Sequence, residues 1–288
     1  MKNKKQGLVY LKRSFVLAVL FTSVFLYVFC LYTFYADTIK ESRQNKKPFP
    51  FYTTLATGDH LVAHAGGAID GIIYTGALEA YEKAINSGMN FIEVDLQETT
   101  DGHFVAVHDW KRFNEAIGRS ENTPLSLEEV MSSKIYGKYT PLDEKSLIAL
   151  MKKYPHLIMI TDKSRNVKKI AETFPFHDRM IVQTFHLSDY LKALKYGLPY
   201  PTLRLKGGRR GIPLFYKKLM DFVNVKAVIL GELSFNKNKE FIKELHDKGV
   251  VVMLYGNPLY QIVDHPDQVK IYAGSYVDLF DSDYMQHI

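Results

Sequence analysis

The chain has 288 residues, with 37 Lys+Arg against 31 Asp+Glu and one cysteine, Cys30. A single cysteine excludes a disulfide within the chain. Residues 1–40 hold six basic groups and one acidic group, which leaves 31 basic against 30 acidic residues for the remainder, a net +1. The overall basicity therefore belongs to the N-terminus, and the larger part of the chain carries no charge excess that argues for nucleic acid as a partner.

In chain order, residues 1–13 read as a basic N-terminal tail carrying Lys2, Lys4, Lys5, Lys12 and Arg13. Residues 14–36 read as a transmembrane signal anchor. Ser14 to Tyr35 has no charged residue, is rich in Phe, Leu and Val, and has the length of roughly 20 residues that a bilayer core requires. Basic residues before it and Asp37 after it predict a single-pass cell-membrane protein with a cytoplasmic N-terminus and the rest of the chain extracytoplasmic. A cleaved signal peptide is the rival reading, and Phe34 before Tyr35-Ala36 makes a poor cleavage pattern for it. Residues 37–59, with Lys46-Lys47-Pro48-Phe49-Pro50, read as a stalk that resists helix formation.

Residues 60–288 then alternate apolar strand-like runs with helical patterns, which predicts a parallel sheet. The runs are 60–64, 91–95, 103–107, 157–162, 180–185, 202–205, 227–230, 250–255 and 276–280. A helix is expected near Ala77 to Ser87, closed by Gly88. The predicted fold is α/β, a (β/α)8 TIM barrel preceded by one transmembrane helix. Nine runs exceed the eight that a barrel needs, so one lies outside it or the parsing is wrong. An open doubly wound sheet is the structural alternative, without a glycine-rich dinucleotide fingerprint to support it.

In a barrel, chemistry gathers at the C-terminal ends of the strands. His64, Glu93 with Asp95, His108 and Asp162 end the first four runs. Glu93 and Asp95 are two apart and share a strand face. Two acids on one face are costly to bury without positive charge, so Glu93, Asp95 and Asp162 are candidate ligands of a hard divalent cation, Ca2+ or Mg2+. His64 and His108 are candidate proton carriers near neutral pH. Trp110, the only tryptophan, reads either as a wall of a substrate pocket or as a loop anchor. Lys206-Gly-Gly-Arg209-Arg210-Gly reads as a solvated basic loop, or as a phosphate grip through Arg209. Taken singly, each residue has an ordinary structural role. Asp109 can cap a turn, and Asp101-Gly102 can be the turn before a strand.

These motifs resemble the glycerophosphodiester phosphodiesterase family, which shares its barrel type with phosphatidylinositol-specific phospholipases C. His64-Ala65-Gly66 is similar to the family's His-Arg-Gly. Glu93-Val-Asp95 with Thr99-Thr-Asp101-Gly102 matches its Glu-x-Asp and Thr-x-Asp-Gly, and His108-Asp109 matches its His-Asp pair. Ile160-Thr-Asp162-Lys163 resembles the strand that carries an acidic metal ligand and a lysine, Gln183 to Phe185 a further strand motif, and Ser282-Asp283 the terminal Thr-Asp.

The resemblance implies metal-dependent hydrolysis of a phosphodiester: a glycerophosphodiester, a lipid head group or a glycerol-phosphate surface polymer. His64 and His108 would be catalytic, Glu93, Asp95 and Asp162 metal ligands, and Lys163 a substrate contact. Two departures bear on activity: Ala65 stands where the family has arginine, and Tyr74-Thr-Gly-Ala77 stands where it has Pro-Glu-Asn-Thr. The alternatives are a barrel that binds a phosphorylated polymer or a partner without turnover, and a cyclising phospholipase C-type lyase. Lys163 directly follows Asp162, so on a regular strand it would face the other way.

Overall fold

The structure is a computed structural model that describes residues 2–44, 49, 61–206, 212–256 and 276–283. The chain divides into two compact units, Met1–Asn45 and Lys46–Ile288. In the first unit, helix α1 spans Lys2–Gln44, with a non-helical residue at Tyr35 (φ −126°, ψ 19°). No single helix among the described residues is long and apolar enough to cross a membrane. Phe15–Cys30 and Tyr32–Gln44, bent by 58° at their junction, meet the length and composition requirement only as a pair.

The second unit holds nine strands among its described residues: β1 (Leu61–Ala63), β2 (Phe91–Glu98), β3 (Phe104–Ala106), β4 (Ile158–Asp162), β5 (Met180–Thr184), β6 (Pro201–Leu205), β7 (Ala227–Gly231), β8 (Val251–Tyr255) and β9 (Leu279–Ser282). Their order is β1-β9-β8-β7-β6-β5-β4-β2-β3, and a β1–β2 pairing closes the ring. Eight strands are parallel, while β3 pairs antiparallel with β2 outside the barrel. The surplus ninth run is thus the third. Only residues 99–103 join β2 to β3, far short of the dozen or more residues that a parallel crossover takes. The last strand begins at Leu279, later than the run that started at Tyr276.

Parallel barrel strands are covered on both faces, which explains their continuous apolar runs, such as Ala227-Val-Ile-Leu230. Inward residues form an apolar layer of Val62, Phe91, Ile158, Ile160, Ile229 and Met253. Phe49, which the stalk expectation leaves outside the barrel, is buried in this layer and packs edge-on against Tyr200 at 5.1 Å. Between α2 (Leu78–Asn86) and β4, the β2–β3 hairpin carries three short helices: α3 (Trp110–Ala116), α4 (Leu127–Ser132) and α5 (Glu144–Lys153). Asp109 caps α3, a Ser126/Glu129 capping box starts α4, and Asp143 caps α5. Helices α3 and α4 enclose a second core around Val105, Phe113, Val130 and Ile135.

Candidate active site

The pairing register stacks a charged layer above the apolar one. Across β2 and β4, Phe91 pairs with Ile158, Glu93 with Ile160 and Asp95 with Asp162. The alternation of side chains along each strand therefore puts Glu93, Asp95 and Asp162 together at the C-terminal mouth. All three are buried, and one oxygen from each lies within 4.8 Å of the others. Both carboxylate oxygens of Asp95 and Oδ1 of Asp162 have no hydrogen-bond partner. Three buried carboxylates, two of them with oxygens that accept no hydrogen bond, fit a hard cation, in line with the oxygen-donor set that Ca2+ or Mg2+ takes. Burial raises the Glu93 carboxyl well above its ordinary value, and Asp95 raises it further against the opposing pull of His64.

His64 leaves β1 through a tight turn, with Ala65, Gly66 and Gly67 at φ 45°, 84° and 78°. A Cβ at Gly66 would lie 3.3 Å from Ala80 and from the Tyr81 ring, which accounts for glycine there. The turn aims the Ala65 N–H at Glu93 Oε2 (2.8 Å) and holds His64 Nδ1 3.1 Å from Asp283 Oδ1. Burial opposes a charge on His64, but the Asp283 hydrogen bond and the carboxylates of Glu93 and Asp281 outweigh it, raising the pKa from 6.5 to about 10.

His108 arrives from outside the barrel rather than from the end of a barrel strand. The Val107 N–H donates to the Asp95 carbonyl (2.9 Å) and Gln97 Nε2 to the His108 carbonyl (3.3 Å), which returns the hairpin to the rim. His108 Nδ1 lies 2.8 Å from Asp109 Oδ2, while Asp109 Oδ1 accepts from Arg112 N at 2.8 Å. Asp109 thus caps a helix and orients an imidazole at once. Asp101 remains a turn residue: it accepts from Thr99 Oγ1 (2.6 Å) and from Leu127 N (2.9 Å).

Lys163 does not face away. Its left-handed backbone (φ 66°) turns the side chain back, with Nζ 3.1 Å from Asp162 Oδ2 and 3.3 Å from Asp95 Oδ1. Burial lowers the Lys163 pKa, but Asp95, Asp162 and Glu93 raise it by more, so the ammonium stays charged. Arg204 on β6 is the cation that sequence reading missed. It lies 3.9 Å from Asp162, with its guanidinium 4.5 Å from the Tyr255 ring centre and 5.5 Å from that of Phe185. The available signal was a lone arginine inside an apolar barrel strand. Tyr74 was missed as well: its ring sits 4.9 Å from His64 and 4.5 Å from His108, between the two imidazoles.

His64, Glu93, His108, Asp162, Lys163 and Arg204 line one pocket of about 190 Å3, together with Gln183 and Asp281. Trp110 lines no part of it. It packs edge-on against Phe113 at 6.1 Å and belongs to the second core, because α3 turns its first residue toward the insertion. Arg209 lies outside the described residues. Ala65 is buried and offers no charge, so among the described residues the lysine and arginine cations facing the carboxylates are Lys163 and Arg204, beside the protonated His64.

The model of the glycerophosphoryl diester phosphodiesterase family matches residues 75–286. Solved structures with the same fold include a protein from Galdieria sulphuraria assigned as a glycerophosphodiester phosphodiesterase (20% identity, TM-score 0.64, 78% of this chain and 94% of that one). A glycerophosphodiester phosphodiesterase from Thermotoga maritima matches at 18% identity and TM-score 0.59, over 77% and 93% of the two chains. A phosphodiesterase from Oleispira antarctica, in complex with its product sn-glycerol-3-phosphate, matches at 17% and TM-score 0.58, over 80% and 95%. No curated protein sequence matches this chain. These structures establish the fold, while the family model spans well over half of the sequence and covers His108 and the carboxylate cluster, with β1 and His64 lying just before its first matched residue. The chain therefore belongs to the glycerophosphoryl diester phosphodiesterase family, whose activity is hydrolytic.

Proposed function

We propose that the chain is a membrane-anchored, metal-dependent phosphodiesterase that cleaves glycerophosphodiesters, lipid head groups or glycerol-phosphate units of a surface polymer outside the cytoplasm. One observation carries the catalytic part. Two imidazoles, each with Nδ1 held on a carboxylate, line the same pocket as Glu93 and Asp162 of the carboxylate cluster. With Nδ1 engaged, Nε2 of each ring is left for substrate. A cation held by Glu93, Asp95 and Asp162 would neutralise the phosphodiester and withdraw electron density from phosphorus. Lys163 and Arg204 bring positive charge to the same mouth, where Arg204 can grip phosphate oxygens as the family's missing arginine would.

One histidine takes the proton of the attacking oxygen, from water or from the neighbouring glycerol hydroxyl. As the new P–O bond forms and the bond to the leaving alkoxide breaks, the other histidine returns a proton to that alkoxide. If the hydroxyl attacks, the cyclic phosphate is opened by water in a second pass through the same pair. Product binding in the Oleispira antarctica phosphodiesterase supports a glycerol-phosphate unit as the retained part. A barrel that only binds has no use for two proton carriers.

The first unit supports the membrane assignment. Phe15, Phe21 and Phe34 are more than two-thirds exposed, as suits a lipid-facing surface. The hydroxyls of Thr22, Ser23 and Thr33 each donate to the carbonyl four residues back, so no hydroxyl in this group needs water. The basic residues before the apolar stretch support an extracytoplasmic barrel.

The test is an assay of the full chain in detergent micelles on glycerophosphodiesters, with Ca2+, Mg2+ or EDTA. Metal-dependent release of glycerol phosphate should fall by roughly 10²-fold or more in His108→Ala. An undiminished rate in that variant sinks the assignment. For topology, Ser132→Cys in a Cys30→Ala background should react with an impermeant maleimide on intact cells, and protection from it would place the barrel inside.

A further inference from the structure

Beside the carboxylate pocket lies a larger cavity of about 500 Å3, walled by α3 and by the turn at Ile135–Tyr139. Tyr74 and His108 line both spaces, so the two meet across those rings. We propose that this cavity is the subsite for the leaving alcohol, and that it takes a neutral polyhydroxy group, a sugar or a cyclic polyol. The proposal rests on the phosphodiesterase reading above and names the class of substrate that reading leaves open.

Size is the first argument. The volume is in the range of sites that hold whole ligands, roughly 300–1,000 Å3. An ethanolamine or a glycerol would leave most of it filled with water. Charge is the second. The cavity presents Lys111 and Arg112 with Asp109 and Glu115, and the charges balance. Each cation already has an anionic partner: Arg112 Nε lies 3.4 Å from Asp109 and Lys111 Nζ 3.9 Å from Glu115. A second phosphate would meet Asp109 and Glu115 beside those cations, with no net positive charge to hold it.

A quaternary ammonium fares no better on Tyr74, because the Arg112 guanidinium sits over that ring at 4.7 Å. Hydroxyl groups both donate and accept, so they can bond among alternating carboxylates and cations without displacing either. Tyr136 supplies a flat rim. It is 51% exposed, and its backbone N–H donates to the Ala116 carbonyl at 2.7 Å, which fixes it at the cavity edge in a left-handed conformation (φ 50°).

The experiment compares kcat/KM of the full chain in detergent, with the activating metal, on glycerophosphoinositol and on glycerophosphoethanolamine. Bis(p-nitrophenyl) phosphate serves as a control that needs no large subsite. The expected result is an inositol preference of about tenfold or more, the size of effect that a hydrogen-bonding pocket supplies. Ala116→Phe, which fills the cavity, should bring the ratio near one. Tyr136→Ala should do the same by removing the rim, and it serves if the first variant melts early. Equal rates, an ethanolamine preference, turnover of the control alone, or a ratio that survives both variants overturns the subsite. Failure on all three compounds instead removes the phosphodiesterase reading itself.

Discussion

Lys163 Nζ lies 3.3 Å from Asp95 Oδ1, although Asp95 is on β2 and the lysine follows the inward-facing aspartate that ends the neighbouring strand β4. The contact exists because Lys163 adopts φ 66°, which a non-glycine residue takes only at a cost of about 1–2 kcal/mol. Three buried carboxylates repay that cost by giving the ammonium a place that solvent cannot match. The lysine and a bound cation therefore compete for the same oxygens.

Lys163→Met should accordingly tighten Mg2+ or Ca2+ binding severalfold, since the competing charge is gone. It should also lower kcat/KM by roughly tenfold or more, since the phosphate loses a cation. Calorimetric titration beside the diesterase assay tests both. Weaker metal binding in the variant would show that Lys163 supports the site rather than competing for it.

His64 predicts a pH dependence. Its folded pKa of about 10 lies above the ordinary 6.5. The stabilisation is fully present below pH 6.5 and is lost as the pH rises through about 10. In EDTA, the melting temperature should fall across that window, and His64→Gln should flatten the fall. A divalent cation at Glu93 replaces part of the attraction that holds the proton, so the His64 titration should move down when metal is added. NMR of the imidazole reads this shift.

Neither buried oxygen of Asp95 accepts a hydrogen bond, and the Lys163 ammonium, 3.3 Å from Oδ1, is the charge that offsets it in the metal-free fold. Asp95→Asn should raise the melting temperature in EDTA and weaken metal binding by about tenfold or more, the trade that a functional buried charge imposes. A variant with lower stability and unchanged metal affinity would remove Asp95 from the ligand set.

Gly76 stands beside the segment that carries Tyr74. A Cβ there would lie 2.3 Å from the Ala106 carbonyl oxygen, and the backbone is at φ 58°. Gly76→Ala should destabilise the barrel unit by about 2 kcal/mol or more and should slow the reaction as well, because Tyr74 loses its seat between the histidines. Denaturant unfolding with parallel kinetics checks both effects.

Arg204 separates charge from shape. Arg204→Lys keeps the charge but loses the planar group held between Phe185 and Tyr255. If that plane grips phosphate, KM should rise about tenfold with less change in kcat. An unchanged KM would return the phosphate grip to Lys163.

Much of the barrel was legible from the chain. Each of the nine apolar runs corresponds to a strand, eight of them because a parallel strand buried on both faces demands a continuous apolar stretch, and the third as the antiparallel strand beside β2. Glu93, Asp95 and Asp162 were readable as a cluster because a two-residue alternation and a shared barrel end are local rules. Even the exclusion of the third run was within reach: Thr99-Thr-Asp-Gly102 is a turn, too short for a crossover. Trp110 was ambiguous because nothing local says which way the first residue of a short helix will point.

By itself, the sequence determined the alternation of elements, the acidic face of β2, the histidines that follow β1 and β3, and the apolar N-terminal stretch. These follow from hydrophobic period, turn chemistry and charge, all of which act between near neighbours. Only the tertiary structure decided that Asp283 holds His64 from 219 residues away, that Lys163 turns inward, that Arg204 meets the carboxylates and that Tyr74 parts the imidazoles. Barrel closure causes this, since β1 joins β9 on one side and β2 on the other. Partners brought together by closure leave no periodic trace along the chain.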